Sequence, residues 1–278
     1  MGNTIKGIIA FIPSKKCQEF LTGELEEMPI DKMVDLSCNQ LRIFPLRVCA
    51  FTELVKLYLS DNNLNNLPPE LELLQKLQIL ALDFNNFKTL PLVVCRLTQL
   101  CILYLGNNRL RDLPSELSLL PNLHTLWIEY NYFSELPDVI CQLSHLKTFH
   151  AGCNAIRQLP GELKHLTELR TLWLSGILLS DFPRVLLEMP FLEVIDVDRN
   201  GIRVFPSLKH LSGLKLVIYD RNPCTSAPKV AKGVKRVGNW AEDSPEPKKR
   251  SEIEQEIEKM MESKDLQPAA KEAGKPPI

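Results

Sequence analysis

One feature limits the folds open to this chain more than any other. The stretch Leu54 to Pro68, LVKLYLSDNNLNNLP, returns every 23 residues. Written L-x-x-L-x-L-x-x-N-x-L-x-x-L-P, it places its asparagine at Asn39, Asn62, Asn85, Asn108, Asn131 and Asn154. The next place in register holds Ile177; Asn200 follows, then Asn222, one residue short of register. A closing apolar–proline pair recurs as Phe44-Pro45, Leu67-Pro68, Leu90-Pro91, Leu113-Pro114, Leu136-Pro137, Leu159-Pro160, Phe182-Pro183 and Phe205-Pro206. One short unit cannot cover its own leucines, so a chain built this way folds by stacking its units.

The spacing describes a leucine-rich repeat array of the α/β class. Within each unit the pairs Leu57/Leu59, Leu80/Leu82 and Leu103/Leu105 alternate with polar or aromatic residues, which predicts a short strand buried on one face. The asparagine ends that strand, and its carboxamide can serve backbone groups that burial would otherwise leave unpaired. Leu71, Leu74 and Leu77 then follow at three-residue steps, suiting a helical or 3-10 turn behind the strand. The expectation is a curved solenoid with a parallel concave sheet, a helical or 3-10 convex side, terminal caps and a disordered C-terminal tail. Because Ile177 lacks the amide, the seventh unit should be a soft point.

Composition matters mainly for what it excludes. Lysine and arginine number 33 against 34 acids, so no global charge points to nucleic acid. The eight cysteines form no C-x-x-C pair, and Cys49, Cys95 and Cys141 share one repeat position on the turn side. Without a disulfide framework or an N-x-[ST] sequon, the reading is a reduced, intracellular chain. Ile5 to Ile12 is apolar but too short for a membrane span. Met1-Gly2-Asn3 carries Lys6 where an acylation signal needs Ser or Thr. No phosphate-loop, zinc-protease, serine-hydrolase or kinase signature is present, so neither an enzyme nor a cofactor is expected.

Partner information should lie on the strand positions that face out of the concavity. Between the paired leucines stand Asp35, Tyr58, Ala81, Tyr104, Trp127, His150, Trp173 and Asp196. With strands about 4.8 Å apart, Tyr104 to Trp173 would make an aromatic row roughly 14 Å long. Phe84 and Tyr130 project from strand ends, and Asp83, Glu129, Asp198 and Asp220 border the row. Exposed aromatics with a charged rim suit protein recognition, and Trp127 and Trp173 are the expected anchors, with side chains clear of the core. The competing reading is cross-strand stacking that only stiffens the sheet. His150 stands among aromatics, which argues against a metal or general-base role.

Three regions follow: an N-terminal cap over 1–30, the array over 31–228, and a charged tail over 229–278. In the cap, Phe11, Phe20, Leu21 and Leu25 can cover the open end of the first unit. Lys235-Arg236 and Lys248-Lys249-Arg250 stand eleven residues apart, a bipartite nuclear-import-like pattern. Ser251-Glu252-Ile253-Glu254 reads as a capping box before an amphipathic stretch carrying Ile257, Met260 and Met261.

The 23-residue units ending in Leu-Pro resemble the intracellular Ras-suppressor-like class of leucine-rich repeat proteins. The short cap MGNTIKGIIAFIPSKKCQEF and the mixed-charge tail narrow the resemblance to a heart-muscle family of that class. The resemblance implies a non-enzymatic adaptor; a monomer without membrane insertion is expected. It implies binding to actin and alpha-actinin near Z-lines and transverse tubules, with some entry into the nucleus. The alternative is a signalling adaptor engaging small GTPases or phosphatase subunits through the same concave face.

Overall fold

The computed structural model describes residues 32–239. The chain divides into two units, Met1–Trp240 and Ala241–Ile278, and every described residue belongs to the first. The expected cap over 1–30, the cluster Lys248-Lys249-Arg250 and the stretch after Ser251 lie outside the described residues.

Among the described residues, ten three-residue strands stand side by side in chain order, each parallel to the next: β1 (Met33–Asp35), β2 (Lys56–Tyr58), β3 (Ile79–Ala81), β4 (Ile102–Tyr104) and β5 (Thr125–Trp127), then β6 (Thr148–His150), β7 (Thr171–Trp173), β8 (Val194–Asp196), β9 (Leu216–Ile218) and β10 (Lys235–Val237). The register follows the period. Val34, Leu57, Leu80, Leu103, Leu126, Phe149, Leu172, Ile195 and Val217 pair in one row, and each is 0% exposed. The next member of that row is Arg236, only partly exposed. A charged side chain in the core row is what ends a stack whose last face must meet water.

Behind the sheet, among the described residues, run seven 3-10 helices, from Leu46–Ala50 in the first unit to Arg184–Glu188 in the seventh. Each follows the proline of the closing pair, whose ring holds φ near the value this turn needs. The three-residue step of the leucines becomes a chain of tight turns: Leu71, Leu74 and Leu77 N–H groups donate to Pro68, Leu71 and Leu74 carbonyls. All three side chains are 0% exposed. The sheet is open and curved, its strands on one side and the 3-10 turns on the other.

The asparagines form a ladder. Asn108 Nδ2 donates to the carbonyls of Leu82, Leu105 and Gly106 at 2.9, 3.0 and 3.1 Å, and its Oδ1 accepts the Phe87 amide at 3.0 Å. Asn131 repeats the pattern on Leu105, Ile128, Glu129 and Leu110. Even Asn222 keeps it, with Nδ2 on the Val197 carbonyl and Oδ1 on the Ile202 amide. The missing residue is absorbed elsewhere: among the described residues, no 3-10 helix stands between β8 and β9.

The ladder breaks at Ile177, which is fully buried. The Ile156 amide should meet an asparagine there. Among the described residues, neither Ile156 N–H nor its carbonyl makes a hydrogen bond, whereas in the preceding unit Phe133 has both. Leu178 takes a left-handed conformation (φ 65), a geometry that disfavours an L side chain.

The end of the array differs from its expected boundary at residue 228. β10 adds a strand beyond it, with Lys235 opposite Leu216 and Tyr219 N–H donating to Val237 O at 2.9 Å. The basic pair Lys235-Arg236 therefore lies in a strand of the array rather than in a tail.

Candidate functional site

The last strand position brings Tyr104, Trp127, His150 and Trp173 into register on four consecutive strands. Ring centroids lie 4.8 Å apart for Tyr104 and Trp127, 5.7 Å for Trp127 and His150, and 5.6 Å for His150 and Trp173. The first two contacts are edge-to-face, the arrangement in which a positive ring edge meets a negative ring face. Tyr58 stands apart from the row, because Ala81 intervenes on β3.

These side chains are less exposed than the sequence reading expects. Trp173 is only 9% exposed, and Tyr104, Trp127 and His150 are half-buried. Each ring covers its neighbour at the narrow strand spacing of the inner face. The Trp127 indole N–H is buried and finds no acceptor among the described residues. Trp127 and Trp173 are thus more covered than the sequence reading expects of free anchors, although neither joins the leucine core. The exposed aromatics lie at the rim. Phe84 and Tyr130, 54% and 51% exposed, occupy left-handed turn positions (φ 54 and 52), and Tyr132 is 60% exposed. Their backbones are fixed, Phe84 N–H by the Gly106 carbonyl and Tyr130 N–H by the Gly152 carbonyl.

The second position after the row reads Ser60, Asp83, Gly106, Glu129, Gly152, Ser175 and Asp198 along successive units. Two of its carboxylates find serine neighbours: Ser60 Oγ donates to Asp83 at 2.9 Å and Ser175 Oγ to Asp198 at 3.5 Å. Glu129 has glycine on both sides. Its carboxyl lies where a Cβ on Gly106 would be, 2.2 Å from Glu129 Oε1, and its Oε2 is buried with no hydrogen bond among the described residues. His150 Nδ1 stands 3.4 Å from that oxygen. Burial pushes the Glu129 carboxyl up to about 7, with the charge of Asp83 adding to the shift. The sequence reading takes Glu129 for a solvated rim acid; glycines at both neighbouring places are the signal that points the other way. Tyr130 belongs to the same neighbourhood, its phenol pushed upward first by a hydrogen bond with Cys153.

Elsewhere the chemistry is quiet. Burial raises the thiols of Cys49, Cys95 and Cys141 to about 11, which keeps them protonated and poorly nucleophilic. The seven described cysteines are free. Among the described residues, no group of three His, Cys, Asp or Glu side chains is placed to hold a metal, and no helix is long and apolar enough to cross a membrane. Lys235 and Arg236 lie on β10, away from the aromatic row in strand order.

Family models for leucine-rich repeats match residues 53–74 and, as two copies, 98–141. Leucine-rich repeat-containing protein 10 of Homo sapiens is 84% identical over 250 residues, which is 90% of each chain. The proteins of that name from Bos taurus and Mus musculus are each 81% identical over 90% of this chain. This chain belongs to the leucine-rich repeat-containing protein 10 family. Among solved structures, a leucine-rich repeat protein of Leptospira interrogans superposes with TM-score 0.65 at 31% identity, covering 69% of this chain and 50% of its own. The repeat domain of the type III effector XopL gives 0.66 at 21% identity over 80% of each, a likeness of fold alone. The repeat family is one of non-enzymatic interaction scaffolds, and no enzyme family is indicated.

Proposed function

We propose that this chain is a scaffold of the heart-muscle cytoskeleton that binds actin and alpha-actinin through its concave face. The observation that carries the surface is the four-ring row on β4 to β7, with Phe84, Tyr130 and Tyr132 exposed at its edge. A rigid aromatic floor with accessible aromatics beside it supplies contact area at little entropic cost, the composition favoured where proteins recognise one another. The choice of partners is supported by the resemblance of repeats and tail to the heart-muscle family.

The test uses the full chain with purified actin filaments and purified alpha-actinin. Both should bind, and Phe84→Ala with Tyr130→Ala should weaken at least one of them by about tenfold or more. The same double variant should unfold at the wild-type temperature, since both rings stand outside the core. Undiminished binding of both partners would move the site off the concave face. Capture of small GTPases or phosphatase subunits in place of actin-network proteins would turn the reading to a signalling adaptor.

A further inference from the structure

The flank of the sheet, just past the ladder asparagines, carries a second pattern. In the first four units the residue after the asparagine is Gln40, Asn63, Asn86 or Arg109, and two places on stand Arg42, Asn65, Lys88 and Arg111. These eight positions hold four cations and no acid, so the sign of the flank is fixed. From the fifth unit the first of these columns turns to Tyr132, Ala155, Leu178 and Gly201, and the pattern ends. The next acid in sequence, Asp112, directs its carboxylate to the Leu113 amide at 2.8 Å.

Five of these side chains, Arg42, Asn63, Asn65, Asn86 and Arg109, line one shallow hollow of about 410 Å³. Among the described residues, none of the five makes a side-chain hydrogen bond or ion pair. The backbone beneath is fixed: the amides of Asn63, Asn86 and Arg109 donate to the Leu41, Leu64 and Phe87 carbonyls, each at 2.8 Å. Two guanidiniums and three carboxamides are thus held in place by the repeat with their bonding capacity unspent.

We propose that this hollow binds an extended acidic peptide segment of a protein partner. The planar forks of Arg42 and Arg109 match carboxylates. A carboxamide offers both a donor and an acceptor, the complement of a peptide group, so Asn63, Asn65 and Asn86 pair with backbone N–H and C=O. A free phosphate would satisfy only the donors and leave the asparagine oxygens unmatched. The site is separate from the aromatic row and does not rest on the identity of the concave-face partner.

Fluorescence anisotropy of the full chain with fluorescein-labelled hexaglutamate tests this, with labelled hexaglutamine and inorganic phosphate as the other probes. Hexaglutamate should bind and weaken as salt is raised, and hexaglutamine should bind far less. Arg42→Gln with Arg109→Gln should weaken hexaglutamate binding about tenfold. Arg42→Lys with Arg109→Lys, which keeps the charge and loses the fork, should fall between. Asn65→Ala with Asn86→Ala should reduce affinity about twofold to fivefold at unchanged charge. Circular dichroism should be the same for every variant, because all five side chains lie outside the core. The proposal is overturned if hexaglutamate fails to bind, if the glutamine variant binds it undiminished, or if inorganic phosphate displaces it at equal concentration.

Discussion

At the scale of single residues, Glu129 shows how a repeat position changes its meaning with its neighbours. Asp83 and Asp198 occupy the same place and are served by Ser60 and Ser175; Glu129 sits between Gly106 and Gly152 and has no hydroxyl to lean on. The consequence for stability has a definite sign. In the unfolded chain the carboxyl titrates near about 4.3, and in the fold it is pushed up to about 7. Between these values the folded state keeps a proton that the unfolded state has released. The stabilisation from this group is therefore complete below the lower value and is lost as pH rises through the upper one. Glu129→Gln, which mimics the neutral carboxyl, should add about 2–3 kcal/mol at pH 8 and almost nothing at pH 4. Urea unfolding at the two pH values reads this directly. An equal difference between variant and wild type at both would show that the carboxyl is not raised.

At the scale of elements, a strand of three residues has one core position and two that look outward, yet here the outward positions are packed as well. Thr125 and Thr148 at the first position are 4% and 8% exposed, and Trp173 at the third is 9% exposed. Inner-face side chains at strand spacing cover one another, and the rings contribute to a continuous layer in front of the leucines. Trp173→Ala should therefore cost about 3–5 kcal/mol, in the range of a core truncation such as Leu126→Ala. Phe84→Ala should stay within about 0.5 kcal/mol of wild type, because its ring is a surface side chain. Chemical denaturation of the three variants settles the order; a neutral Trp173→Ala would return that ring to the category of free anchor.

At the scale of the whole array, stability passes from unit to unit, because each strand pairs only with its sequence neighbours. The weakest junction then decides where opening starts. Ile156 lacks both of its ladder bonds and Leu178 is left-handed, so amides around residues 156–178 should exchange with deuterium ahead of those around 87–133. Ile177→Asn would give the Ile156 amide its acceptor while removing a buried isoleucine. The gain of several bonds should offset that loss, leaving the array equally stable or up to about 1 kcal/mol more so. Slower exchange at Ile156 in the variant would confirm the repair; a loss above about 1 kcal/mol would show that the seventh unit has adapted to isoleucine.

The sequence by itself determined the repeat, its register, the asparagine ladder and the residues of the core row, because each follows from a 23-residue period repeated in one direction. It also placed Tyr104, Trp127, His150 and Trp173 on adjacent strands. Only the tertiary structure decided how deeply those rings are covered, that Glu129 lies across Gly106, and that Lys235 and Arg236 continue the sheet in β10. The physical reason is the same in each case. A period fixes which residues become neighbours, whereas exposure and protonation depend on the size and chemistry of the side chains that those neighbours carry across the stack.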